Sequence, residues 1–337
     1  MKNILFIVLL FPIILACKGN KESAEFFKRG NFHYKNNELD KAEHFFTEAI
    51  KKDENFADAY NNRGVVYLKT SKIENAIKDF EKAVELDGTF IDAKLNLAKV
   101  YSEIGKTEEA EKLFKEIEPK MKTSSDFYNQ FGQNFVRQNH FEEGESNLKK
   151  SLKINPKNVE ALTNLGYIKL ISNEVTEAES LFLKALEINP DFAYALNNQA
   201  VVLGKKRLFA EAINLLEKAE NKDVNNIIYT NNMALFALEN SNSILGLDKI
   251  KKAEKIDETN PYTVRNQGIY LLNMKKFQEA LLKFSEVEKN NPEVDYIYYY
   301  LGKSYLELNN KPKACEYFKL GTKLNDAWSK DYAVNCN

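Results

Sequence analysis

The same small residues return every 34 positions along almost the whole chain, and this limits what it can fold into more than any other feature. Counted from Ser23, blocks open at Ser23, Ala57, Ile91, Ser125, Val159, Ala193, Ile227, Pro261 and Asp295, with no insertion to break the register. The eighth place of each block holds Gly30, Gly64, Ala98, Gly132, Gly166, Ala200, Ala234, Gly268 and Gly302. The twentieth holds Ala42, Ala76, Ala110, Gly144, Ala178, Ala212, Gly246, Ala280 and Ala314. The twenty-fourth is always bulky and apolar: Phe46, Phe80, Phe114, Leu148, Phe182, Leu216, Ile250, Phe284 and Phe318. A fixed period of this length means stacked units, each burying its apolar face against the next.

Within a block, places 4, 7, 8 and 11 share one helical face, and places 17, 20, 24 and 27 share another. Each block therefore reads as two amphipathic helices joined by a short turn. Small residues at places 8 and 20 let the two backbones approach, and the large residue at place 24 fills the space beside them. Pro156, Pro190 and Pro292 fall at place 32, with Gly88 in the same slot of the second block, and they punctuate the connections. Pro261 and Pro312 sit in first turns, where a missing N–H is tolerated. A period of 34 with helix-breaking turns excludes a heptad coiled coil.

The pattern resembles the tetratricopeptide repeat family over residues 23 to about 328. The resemblance implies an all-α fold: a right-handed superhelix of about nine helix-turn-helix units whose first helices make the concave wall. Residues 325–337, with the only Trp at 328, read as a C-terminal capping helix. The third unit ends in Glu118-Pro119-Lys120, and the seventh carries Gly246 inside a helix and no aromatic at place 24. Because Gly inside a helix costs about 1 kcal/mol relative to Ala, residues 218–250 are expected to be locally weak.

The leader is a separate element. Met1-Lys2-Asn3 is followed by an apolar run of 13 residues, Ile4 to Ala16, too short for a bilayer and fitting a secretory signal. The end, Ile14-Leu15-Ala16-Cys17, resembles a bacterial lipobox, although Leu15 is larger than the usual residue there. The resemblance implies cleavage before Cys17, acylation of Cys17 and a tether over residues 17–22. The other reading is an ordinary signal peptide with an incidental Cys. Lys18 stands where an Asp would mark inner-membrane retention, so an outer-membrane anchor is expected, facing either the periplasm or the outside. Several acyl chains hold stably where one does not. In an oxidising periplasm the remaining pair, Cys315 and Cys336, suggests a disulfide; two free thiols are the alternative.

Lys plus Arg is 48 and Asp plus Glu is 49, a balance that argues against nucleic acid as a partner. Three His and three Cys leave little for a metal site, and neither metal nor cofactor is expected. No His-Glu-x-x-His, Gly-x-Ser-x-Gly or phosphate loop occurs, and the chain reads as noncatalytic.

On the first helix of each unit, places 2, 5, 6, 9, 12 and 13 point away from the partner helix. Place 6 carries Asn62, Asn96, Gln130, Asn164, Asn198, Asn232 and Asn266. Asn is a poor helix former, so this ladder is not a product of propensity. An amide donates and accepts, and can pair with an extended peptide of any sequence. A similar ladder lines the groove of protein O-linked N-acetylglucosamine transferases. The other reading is a brace between adjacent helices, and both can hold. Place 2 carries Asp58, Asp92, Asp126 and Glu160, then Tyr194, Ile228, Tyr262 and Tyr296. Tyr262, Tyr296, Tyr299 and Tyr300 are expected to form an exposed aromatic patch on the groove, suited to peptide or sugar. The basic clamp by which some family members grip a C-terminal carboxylate is absent, since place 5 holds no Lys and place 2 no basic residue.

The chain thus resembles periplasmic tetratricopeptide lipoproteins of Gram-negative bacteria. This implies a membrane-anchored, noncatalytic scaffold that binds a protein or extended peptide in its groove during envelope assembly. A glycan- or peptidoglycan-associated binder and a structural spacer are the alternatives.

Overall fold

A computed structural model describes residues 11–336, with side chains from residue 21 onward. Residues 1–10 of the expected leader, and the Cys17 side chain, lie outside the described residues. Among the described residues there are nineteen α-helices and no strand. No helix among them is long and apolar enough to cross a membrane. The chain divides into two compact units, Met1–Ile154 and Asn155–Asn337.

The first unit comprises α1 (Phe11–Lys35), α2 (Leu39–Lys52), α3 (Ala57–Lys69), α4 (Ile73–Leu86), α5 (Ile91–Glu103), α6 (Thr107–Ile117), α7 (Ser125–Arg137) and α8 (Phe141–Ile154). A 3-10 turn, Glu118–Lys120, follows α6 and contains Pro119. The second unit opens with α9 (Val159–Ile171), α10 (Val175–Ile188), α11 (Ala193–Lys205), α12 (Phe209–Lys222), α13 (Ile227–Glu239) and α14 (Ser243–Asp257). It closes with α15 (Pro261–Asn273), α16 (Phe277–Asn290), α17 (Ile297–Glu307), α18 (Lys311–Lys323) and α19 (Ala327–Ala333). Odd-numbered helices to α17 are the first helices of hairpins and even-numbered ones the second.

The small columns are small because aromatic rings lie against them. A Cβ on Gly64 would come within 2.7 Å of Phe80 Cε1, and one on Gly268 within 2.5 Å of Phe284 Cε1. Each hairpin turns through one residue of positive φ, again 34 apart: Asn37, Ser71, Gly105, Asn139, Asn173, Arg207, Ser241, Lys275 and Asn309. This left-handed residue reverses the chain after the first helix. At Ser71, the N–H of the next residue, Lys72, reaches back to the Tyr67 carbonyl at 2.8 Å and satisfies it.

Residues 17–22, the expected tether, lie within α1. Glu22 sits 2.9 Å from Lys52 Nζ on α2, and the Lys21–Glu25 stretch suits a helix. Residues 218–250, expected to be weak, include a closely packed helix. Tyr229, Met233, Ala234, Leu235, Phe236, Ala237 and Leu238 are all buried, and α13 lies within the largest core of the second unit. Gly246 belongs there because a Cβ would meet Leu238 Cδ2 at 2.5 Å. Lastly, α17 starts at Ile297, two residues after the period places it, because Tyr296 takes a left-handed conformation (φ 64). A bulky side chain rarely adopts that backbone, and only strong surrounding packing holds it there.

Candidate partner-binding face

The place-6 amides are braces before they are anything else. In the first unit Asn62 Nδ2 donates to Asn31 Oδ1 at 2.8 Å, and Asn61 Nδ2 donates to Asn62 Oδ1 at 3.1 Å. Asn96 Nδ2 donates to Asn61 Oδ1 at 2.9 Å. The second unit repeats the relay: Asn197 Nδ2 donates to Asn198 Oδ1 at 3.1 Å, and Asn232 Nδ2 to Asn197 Oδ1 at 2.8 Å. Asn266 Nδ2 donates to the carbonyl and side-chain oxygens of Asn231 at 2.9 and 3.1 Å. At Asn96, Asn232 and Asn266, place 6 thus donates a hydrogen bond to place 5 of the preceding hairpin, while Asn62 donates to place 9. Place 5 is not on the open face as expected. Asn61, Asn129, Thr163, Asn197, Asn231, Arg265 and Tyr299 are all buried. The relay needs a partly buried Asn at each step, which explains why a poor helix former recurs. Asn62, Asn96, Gln130, Asn164, Asn198 and Asn232 remain partly exposed, and Asn266 is fully buried.

The aromatic patch is corrected more sharply. Tyr299 and Tyr300 are 1% and 0% exposed, so the four tyrosines do not form an open cluster. Tyr300 stacks on Phe284 at 5.4 Å and donates to Glu239 Oε1 at 2.9 Å. Tyr299 packs against Phe318, Tyr332 and Trp328. Tyr296 is half-buried, its ring stacked 3.9 Å from that of Trp328. Burial pushes the phenols of Tyr299 and Tyr300 far above their ordinary value, with the nearby Glu239 carboxylate adding to it. The cause is α19. Trp328, 1% exposed, also meets Phe209 edge-on at 5.7 Å, and the Arg207 guanidinium lies 5.5 Å over its ring. Asp331 then reaches Arg207 Nη2 at 3.2 Å, 124 residues away in sequence. A disulfide joins Cys315 of α18 to Cys336 beyond α19. The cap is therefore clasped to the hairpin of α11 and α12.

The surface left open differs between the two units. On the first, place 2 presents the exposed acids Asp58, Asp92 and Asp126. On the second, Tyr194 is 58% and Ile228 55% exposed at the same place of successive first helices, followed by half-buried Tyr262. Tyr167 and Ile171 on α9 are also exposed. Burial raises the Tyr167 and Tyr262 phenols, and in both the Asp295 carboxylate adds to the effect. Arg265, fully buried beside Tyr262, donates to Asn266 Oδ1 and, at 3.0 Å, to the Asp295 carbonyl.

Among the described residues no group of three or more His, Cys, Asp or Glu is arranged to hold a metal ion. Sequence reasoning placed Tyr194 and Ile228 at place 2 but did not single them out. The signal was there: large apolar residues at a register where the preceding units carry acids.

Tetratricopeptide-repeat models match residues 57–90, 91–117, 129–193 together with 265–326, and 181–214. The chain belongs to the tetratricopeptide repeat family. Tetratricopeptide repeats generally form noncatalytic protein-interaction scaffolds. No curated protein matches the sequence significantly. Among solved structures the tetratricopeptide array is similar to PilF of Pseudomonas aeruginosa, with a TM-score of 0.52 and 20% identity over 64% of this chain and 97% of that one. It is also similar to the APC/C hetero-tetramer Cut9–Hcn1, with a TM-score of 0.63 and 16% identity over 79% of this chain. Only 50% of that second chain is spanned, and at such identities the likeness is one of fold.

Proposed function

We propose that this tetratricopeptide protein is a lipid-anchored adaptor of the bacterial envelope, tethered through Cys17 to the outer membrane. Its second unit holds a segment of a partner protein against the first helices. The observation that carries the reading is the row Tyr194, Ile228 and Tyr262. Large apolar side chains stand exposed at one register on rigid helices, and more than half of the surface of Tyr194 and of Ile228 is open among the described residues. Rigid placement of aromatic and aliphatic anchors is what a protein interface needs. Beside each anchor, one helical turn on, stands an amide: Asn198 after Tyr194 and Asn232 after Ile228. Asn198 Nδ2 donates to nothing among the described residues, and Asn232 has one further N–H, so both can meet a bound backbone. The anchor rests on the leader sequence ending Ala16-Cys17. The Cys315–Cys336 disulfide supports an oxidising compartment.

Two measurements test this. Cys17→Ala should abolish palmitate labelling and release the protein from the membrane fraction; a labelled, membrane-bound variant would remove the anchor. Tyr194→Ser combined with Ile228→Ser should lose the partners cross-linked in intact cells, while Asp58→Ser should keep them. Equal recovery from all three proteins would leave the second unit without its proposed role.

A further inference from the structure

The adaptor reading can be carried to the chemistry of the segment that is held. Three features of the second unit bear on it: the spacing of its anchors, the polar groups between them and the charge at their edge.

The anchors lie on successive first helices, and packed helices sit about 8–10 Å apart. An extended β-strand returns a side chain to the same face about every 6.6 Å, which does not match that interval. A polyproline II segment returns one every three residues, about 9.3 Å, which does. An amphipathic α-helix offers a continuous apolar stripe. Laid along this row, the stripe would cover Asn198 and Asn232 and leave their amides without partners. A polyproline II backbone makes no internal hydrogen bonds and supplies those partners.

The edge is acidic. Asp223, Glu293 and Asp295 stand in the connections that lead into α13 and α17, and Asp257 ends α14 just before α15. All four are exposed, and none forms an ion pair among the described residues. The nearby Lys222 is already paired with Asp191 at 2.8 Å. Arg265 is buried beneath the row and occupied by Asn266 and the Asp295 carbonyl. Those acceptors are neutral, so the guanidinium, 5.3 Å over the Tyr262 ring, offsets part of the acidic edge. Four exposed carboxylates against this one cation leave the edge net negative, and its complement is a cation. Arginine suits it best, because a guanidinium can stack on a Tyr ring and pair with a carboxylate at once.

We infer that the second unit recognises a basic segment in the polyproline II conformation, with an apolar side chain every third residue seated on Tyr194, Ile228 and Tyr262 and Arg or Lys between them. This rests on the adaptor reading and specifies its partner.

The test uses the full chain and a fluorescein-labelled synthetic peptide of four Leu-Pro-Arg repeats, read by anisotropy at two salt concentrations. Saturable binding is expected for this peptide and not for its Leu-Pro-Glu counterpart. Ile228→Ser should weaken it by about tenfold or more, the loss of one apolar anchor. Glu293→Gln with Asp295→Asn should weaken it by a smaller factor and flatten its salt dependence. These side chains are exposed, so circular dichroism should be unchanged in each variant. Absence of saturable binding, equal binding of the Leu-Pro-Glu peptide, or an Ile228→Ser variant that binds as well as the parent would each overturn the inference. If cellular cross-links still depend on Tyr194 and Ile228 while the peptides show no preference for charge or period, the adaptor stands and this partner chemistry falls.

Discussion

At the second place of the first helix, the first unit carries Asp58, Asp92 and Asp126, and the second, after one more acid at Glu160, carries Tyr194, Ile228 and Tyr262. The hairpins beneath are the same: Gly64 against Phe80 in one, Gly268 against Phe284 in the other. The relay of amides is the same too, Asn96 to Asn61 and Asn232 to Asn197. What differs is the polarity of the open face and the presence of a clasp. The packing columns fix the scaffold and leave the outer places of the first helix free to vary, so one repeat can present two surfaces. Only the second unit folds a terminal helix back onto an earlier hairpin, through Trp328 on Phe209 and Asp331 on Arg207.

The contrast can be broken or sharpened by measurement. The largest effect is expected from Trp328→Ala, which should cost about 3–5 kcal/mol. Hydrogen exchange should then rise across residues 193–333 and stay level in α2 to α7; equal loosening of both would mean the clasp is not local to the second unit. Cys315→Ser with Cys336→Ser should cost about 3 kcal/mol, from a closed loop of some 20 residues. Fluorescence of the single Trp should shift to the red as it does so.

Next come the relays. Asn61→Ala and Asn231→Ala should each cost about 1–3 kcal/mol, because each strands a partly or fully buried amide on the next hairpin. Urea titration should give similar losses; a silent Asn61→Ala would show that only the second unit depends on the brace. A smaller effect concerns Glu220, which bridges α12 to Lys249 and Lys252 of α14 at 2.5 and 2.8 Å. Burial pushes its carboxyl up, and the two ammonium groups outweigh this and hold it below its ordinary value of 4.5. A carboxyl depressed on folding adds stability above its unfolded value, and that stability goes as pH falls through the folded value. Glu220→Gln should therefore lose stability, on the order of 1 kcal/mol, near pH 7 and converge with the parent in acid. A gap independent of pH would exclude the ion pairs as its source. The smallest change is a gain. Lys275 sits at φ 60, where Gly carries no side-chain penalty, and Lys275→Gly should raise stability by up to about 1 kcal/mol.

Much of this was legible in the residues. Places 8, 20 and 24 specify a hairpin locally, and local contacts repeat whenever the pattern does. The turn column at place 15 was equally readable, with Asn four times and Gly once, yet Arg207 and Lys275 obscured it. The amide ladder was visible as a ladder, but not which way it turned. An amide that donates to a neighbour and one that waits for a ligand look identical in sequence. The tyrosines failed for a different reason. Tyr299 stands at place 5, which the stacking of one hairpin on the next shuts, and Tyr300 is buried against Phe284 and Glu239, with Trp328 of α19 closing over both. Residues 218–250 looked weak by helix propensity, which counts neighbours along the chain and misses the burial of Phe236 and Leu238 among distant side chains.

The sequence alone determined the period, the helical pairing and the change of face from acid to aromatic, because each is set by residues within one turn or one hairpin of each other. The tertiary structure alone decided that Trp328 meets Phe209, that Tyr296 bends into a left-handed conformation, and that place 5 is shut between helices. These depend on contacts more than a hundred residues apart or on the stacking of one hairpin upon the next, and no local pattern of residues encodes where such surfaces meet.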